Sequence, residues 1–225
     1  MIVKEVYIKG KYEKIWYLIV SGIFVLLGLF ILYKLNFISH KKYSNEYFGI
    51  STYISKTDKD NDGIDDQSDI LKGAKEYVSK KPKYKSKYYA TGYPNDEYGV
   101  CSDVVGFALL NAGYDLRTLV NDDIVNNRER YNIQVVDKNI DFRRVVNLKV
   151  YFDNNAIKLT NDIYDIDEWQ GGDIVVFKHH IGIVSDNRNK NGVSFVIHHA
   201  NKWQINYEED ILEDRDDIVG HYRIS

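Results

Sequence analysis

Hydrophobic and polar positions follow three different rhythms along the chain. From Ile15 to Tyr33, nineteen residues carry no charge and are rich in Leu, Ile, Val and Phe. As a helix this run spans about 28 Å, enough to cross a bilayer. Between Asp69 and Lys80, Ile70, Leu71, Ala74, Tyr77 and Val78 recur at helical spacing, which predicts an amphipathic helix ending before Pro82. A second helix is predicted around Cys101: Gly99 breaks what precedes it, Val104, Val105, Phe107, Ala108 and Leu109 supply a buried stripe, and Asn111-Ala112-Gly113 ends it. After Trp169 the period becomes that of strands, predicted over 173–177, 180–185, 194–199 and 218–224, with 186–192 as a hairpin turn. Helices first and an antiparallel sheet last describe an α+β domain whose Cys101 helix packs on the sheet.

Composition narrows this picture. In 225 residues, 44% hydrophobic and 14% aromatic content supports a folded core, and a net charge of −3 gives no general basic field, so no nucleic-acid partner is expected. The late acidic run from Glu208 to Asp217 reads as solvated surface. Trp16, Tyr17 and Tyr33 lie at the ends of the apolar run, Lys9, Lys11 and Lys14 precede it, and no small-residue cleavage site follows. The expectation is an uncleaved single-pass anchor: a tail at 1–14 inside, a membrane helix at 15–34, a stalk at 35–56, and a domain at 57–225 on the extracytoplasmic side of the cell membrane.

Cys101 is the only cysteine, so no intramolecular disulfide holds the exported domain together. At a helix start, unpaired N–H groups and the helix dipole favour a thiolate, so an acidified nucleophile is expected there. Five histidines, His179, His180, His198, His199 and His221, fall in or beside the strands and offer a general base and an orienting partner. Strand parity puts His198 and His199 on opposite faces. The rival chemistry is a zinc site on Cys101, His180 and His198 or His199, which no HExxH or CxxC spacing supports. Asp58, Asp60, Asp62, Asp66 and Asp69, with Gly63 at the sharp turn, match an EF-hand-like calcium loop over 58–69. The same residues also read as an acidic linker whose last Asp caps the next helix. Arg143 and Arg144 could clamp a substrate carboxylate or pair with Asp141.

Taken together, Gly99-Val100-Cys101-Ser102-Asp103, Gly172-Asp173-Ile174-Val175, His180-Ile181-Gly182-Ile183-Val184, Ile197-His198 and Gly220-His221-Tyr222-Arg223 resemble the NlpC-type, papain-like cell-wall cysteine peptidases. More closely, residues 60–223 look like an uncharacterised YijF-like bacterial family within that superfamily, with Asp62-Gly63-Ile64-Asp65-Asp66, Gly92-Tyr93-Pro94 and Ala112-Gly113-Tyr114-Asp115-Leu116 also matching. The resemblance implies a papain-like NlpC-type fold and a Cys-His-His triad cutting amide bonds in peptidoglycan peptides. Cys101 would be the nucleophile, His180 the base and His198 the orienting residue, with Tyr89 near the oxyanion hole. The superfamily keeps a small glycine where this chain has Asp103, a carboxylate that could oppose the thiolate or bind a substrate amine. No cofactor is expected for catalysis, and calcium would be structural. The alternatives are a non-catalytic, calcium-ordered wall-binding module and a thioester-forming acyltransferase on the same triad.

Overall fold

A computed structural model describes residues 2–224, with side chains from Glu13 onward. It divides into two compact units, one ending at His40 and one beginning at Lys41. The first is built on a single helix, α1 (Ile2–Lys34), which continues through the expected tail without a break. Its segment Glu13–Lys34, 22 residues with a mean hydropathy of 2.6, is long and apolar enough to cross a membrane.

The second unit places helices α2 (Asp66–Ser79), α3 (Cys101–Asn111), α4 (Leu116–Asn126) and α5 (Val145–Asn155) before most of the sheet. Strands β1 (Lys83–Tyr84) and β2 (Tyr98–Gly99) pair in parallel just before α3. The main sheet holds β3 (Ile157–Lys158), β4 (Ile174–Phe177), β5 (His180–Arg188), β6 (Ser194–Ile197), β7 (Glu208–Glu209) and β8 (Ile218–Arg223). Their spatial order is β3-β8-β4-β5-β6-β7, with every pair antiparallel.

Alternation along the strands makes two cores. Ile174, Val176, Ile181, Ile183 and Ile197 pack with Ile70, Val104, Val105, Ala108, Leu109, Val120, Leu148 and Phe152 from the four helices. Val175, Phe177, Val184 and Val196 turn to the other face and meet Trp169, Val193 and Leu212. His180 opens β5, and His198 and His199 follow directly on the end of β6.

Three expectations about the elements change. Helix α2 starts at Asp66 and is capped by Asp65, whose carboxylate accepts from Ser68 N at 3.3 Å and Ser55 N at 2.9 Å. Asp69 therefore lies inside the first turn, where a negative charge still favours the helix dipole but caps nothing. Strand β5 runs on to Arg188, with an irregular register between Val184 and Arg188, so the turn begins later than Asp186. The stalk expected at 35–56 is largely part of the domain: Tyr43 bridges Arg188, and Asn45 and Ile50 are buried. Asn45 accepts from Arg188 Nε at 2.5 Å and donates to Gln170 at 3.2 Å, so this polar-looking segment is held by side-chain hydrogen bonds that no periodicity encodes.

Candidate active site

Cys101 is the first residue of α3, and extended Val100 is its N-cap. Valine has no side-chain acceptor, so only the return half of a capping box exists here: Asp103, in the first turn, accepts from Val100 N at 2.8 Å. The same carboxylate forms a two-pronged ion pair with Arg143, Nε to Oδ1 at 2.6 Å and Nη2 to Oδ2 at 2.9 Å. Both side chains are almost fully enclosed, at 2% and 0% exposure. Arg143 also donates to Lys87 O at 2.6 Å and lies over the Tyr89 ring. Asp103 and Arg143, expected to contact substrate, are instead a buried clamp that fixes the start of the cysteine helix. Arg144 is exposed, 3.9 Å from Asp141. Just before the helix, a side chain at Gly99 would collide with the Tyr77 hydroxyl at 2.0 Å, so only glycine fits there.

The helix start brings Cys101 against β5. Burial of the sulfur pushes the thiol up to about 11, outweighing the backbone N–H groups of Ile181, the residue after His180, and of Ser102, which favour the thiolate, and Asp103 adds to the rise. Part of the residue still reaches solvent, but the sulfur itself is enclosed by protein atoms. This corrects the expectation of an acidified cysteine: desolvation beats the helix terminus, and the resting group is a thiol.

His180 Nε2 lies 2.9 Å from His198 Nδ1. The contact is possible because Gly182 sits opposite His198, where a Cβ would come within 3.2 Å of the His198 Cβ and 2.6 Å of Val196 Cγ1. Burial, followed by His198 and Arg215, holds His180 down to about 3, and burial with Arg215 does the same to His198. Both rings are therefore neutral. His199 makes no contact of this kind. It takes the other face, between the rings of Tyr84 and Tyr207 at 5.2 and 5.0 Å, and its buried Nδ1 lacks a hydrogen bond among the described residues.

A carboxylate missed in the sequence stands behind the pair. Glu209 Oε2 on β7 is 3.1 Å from His198 Nε2, although off the N–H axis, so that buried nitrogen has no aligned partner. Glu209 sits in the acidic run read as solvated surface, yet β7 pairs with β6 and the side chain is only 12% exposed. The signal available was the alternation of a strand, and two residues are too few to show it.

Tyr89 does not offer a free donor, since its hydroxyl is bonded to Asp96 Oδ1 at 2.7 Å. The acidic loop is assembled only in part. Carboxylate oxygens of Asp58, Asp60 and Asp62 lie within 4.8 Å of one another. Asp66 instead accepts from Lys59 N at 2.7 Å and from the Tyr114 hydroxyl at 2.5 Å, while Asp69 faces Lys72 and Asn111. The five-carboxylate set expected for calcium does not fit, because two members are used in holding α2 to its neighbours.

Among known proteins, a family profile described as a domain of unknown function (DUF1287) matches residues 71–224. The uncharacterized protein YijF of Escherichia coli (strain K12) is 35% identical over 167 residues, covering 68% of this chain and 80% of that protein. No solved structure matches. The matched span starts inside α2, so it takes in Cys101, His180, His198 and Glu209 and leaves out the acidic loop. On this match, the chain belongs to the DUF1287 family.

Proposed function

We propose that this protein is a membrane-anchored, extracytoplasmic cysteine hydrolase that cuts amide bonds in peptidoglycan peptides, with Cys101 as nucleophile, His180 as base and His198 as orienting residue. The observation that carries this reading is the 2.9 Å contact between His180, the first residue of β5, and His198, just past the end of β6, with the backbone N–H of Ile181 at the sulfur of Cys101 where α3 begins. The helix Glu13–Lys34 supplies the anchor.

The chemistry requires the Cys101 thiol to meet the neutral imidazole of His180, the residue before the Ile181 N–H that faces the sulfur. As the sulfur attacks the amide carbonyl, its proton passes to His180. The imidazolium returns that proton to the departing amine, leaving a thioester that water, activated by the same histidine, hydrolyses. Because the thiol and both rings are uncharged at rest, the thiolate forms during attack and not before it. Digestion of purified muropeptides by the detergent-solubilised full chain, read by mass analysis, tests the proposal. Cleavage is expected from the wild type and from His199→Ala, with severe loss in Cys101→Ala and His198→Ala. Failure of the folded wild type to cut any muropeptide would refute the hydrolase reading.

The raised thiol of Cys101 favours a second reading, a wall-binding module with an idle cysteine. That reading expects sedimentation with peptidoglycan that is equal for wild type and Cys101→Ala, and no turnover by either.

A further inference from the structure

The geometry points to Glu209 as a positioning residue that sets the proton arrangement of both site histidines, and this inference rests on the triad reading of Cys101, His180 and His198. An ionised carboxylate can only accept hydrogen bonds. With Glu209 Oε2 3.1 Å away, a hydrogen bond between the two forms only when His198 Nε2 carries the proton, and that is the tautomer assigned here. His198 is neutral, so its Nδ1 then holds a lone pair. The 2.9 Å contact with His180 Nε2 can be made only if that nitrogen donates. His180 is also neutral, which leaves its Nδ1 unprotonated. That is the one form of this ring that can receive a proton from a thiol at Nδ1. One carboxylate thus fixes two tautomers in succession, and reversing it reverses both.

Burial gives the arrangement its force. His198 is 3% exposed and its Nε2 has no aligned hydrogen bond among the described residues, and the Glu209 carboxylate 3.1 Å away is the acceptor within reach of this buried group. The strand pairing holds both ends of the contact. His198 N donates to Tyr207 O at 2.8 Å, and Val196 and Ile197 are in register with Glu209 and Glu208. Glu208 cannot take this role, since it is bonded to Ser185, Asn187 and Lys42. Arg215, whose charge helps keep both rings neutral, is itself paired with Asp217 at 2.6 Å.

The test uses the full chain, detergent-solubilised and labelled with ¹⁵N in histidine, as wild type, Glu209→Gln and Glu209→Ala. Ring-nitrogen correlations at neutral pH read the tautomers directly, and iodoacetamide reads the Cys101 alkylation rate. In the wild type, His180 and His198 are both expected to be protonated at Nε2. Glu209→Ala should release His198 from that form and slow alkylation about a hundredfold, the lower range of what a positioned base contributes. Glu209→Gln should restore part of both, because its amide oxygen accepts the same proton. A simple packing role would move neither tautomer nor rate in a variant that melts like the wild type. Nδ1 protonation of His198 in the wild type would overturn the assignment, as would unchanged tautomers and rates in Glu209→Gln and Glu209→Ala. If Glu209→Ala does not fold, the wild-type spectrum and Glu209→Gln decide. Tautomers as expected in a chain that cuts no muropeptide would leave Glu209 its role and remove the hydrolase reading, whereas cleavage with the opposite tautomers would do the reverse.

Discussion

Removing the carboxylate of Asp103 should cost the domain most of its stability margin without touching substrate. The pair with Arg143 is two-pronged, at 2.6 and 2.9 Å, and both side chains are nearly inaccessible. Asp103→Ala leaves a guanidinium buried with one remaining acceptor, Lys87 O, and strands the Val100 N–H that the carboxylate held. Breaking a buried pair from one side costs about 3–5 kcal/mol. For a domain of this size each kcal/mol lowers Tm by roughly 2–4 °C, so a drop on the order of 6–20 °C is expected. Arg143→Met should fall in the same range, since it leaves the carboxylate buried with only a backbone donor. The double variant should be more stable than the sum of the two losses predicts, because the second change removes the uncompensated charge left by the first. Thermal unfolding of the solubilised chain, followed through the fluorescence of buried Trp169, measures all three. Single variants that melt within a degree of wild type, or losses that simply add, would refute the clamp. If KM then rose with Tm unchanged, the original reading of Asp103 and Arg143 as substrate contacts would be restored.

The Cys101 alkylation rate should climb with pH to a midpoint above the ordinary thiol value of about 8.5, since burial pushes the group up to about 11; a midpoint below neutrality would reveal a preformed ion pair. His180, His198 and His199 are held down by burial to about 3, 3 and 4. The unfolded chain therefore binds more protons below its ordinary histidine value of about 6.5, and stability, fully present above that pH, should fall as pH drops toward 4. Each histidine adds up to about 1.4 kcal/mol per pH unit, and a Tm flat from pH 7 to 4.5 would contradict the neutral assignment. Millimolar calcium should raise Tm relative to chelator through Asp58, Asp60 and Asp62, by an amount set by RT ln(1 + [L]/Kd), or about 2.7 kcal/mol at a hundredfold excess over Kd. Asp60→Ala with Asp62→Ala should abolish the rise, and equal melting with calcium and chelator would reduce the loop to a linker.

Long, strongly periodic segments were legible. The apolar run, the α2 and α3 stripes and the four longer strands all come from repeats of 3.6 or 2 over enough residues to stand out. The two-residue strands β3 and β7 could not be read this way, and they close both edges of the sheet. The stalk expected at 35–56 lacks any period, yet from Tyr43 on it belongs to the domain. It is held by Asn45, Arg188 and Gln170, polar residues whose partners lie more than a hundred positions away.

At the site, residue identity was legible and the use made of each side chain was not. Strand parity, an argument from backbone geometry, set His198 apart from His199; β6 stops at Ile197, before both, and His198 is the one that lies 2.9 Å from His180. Charge carries no such geometric mark. Asp103 reads alike as a substrate contact and as a buried partner, and only the arrival of Arg143, forty positions later, decides between them. In the run from Glu208 to Asp217, Glu213, Asp214 and Asp216 are exposed, so an acid that turns toward a histidine is hidden by the company it keeps. The same physics accounts for the wrong expectation at Cys101. A helix start is a local feature that sequence reveals, whereas desolvation is set by everything packed around the sulfur, and at this cysteine the second is larger. A nucleophile assigned from a helix-start cysteine therefore needs its base placed in space before its protonation state can be argued. On the triad proposed here, His180 would receive a proton at Nδ1 only while Glu209 keeps the facing nitrogen of His198 protonated.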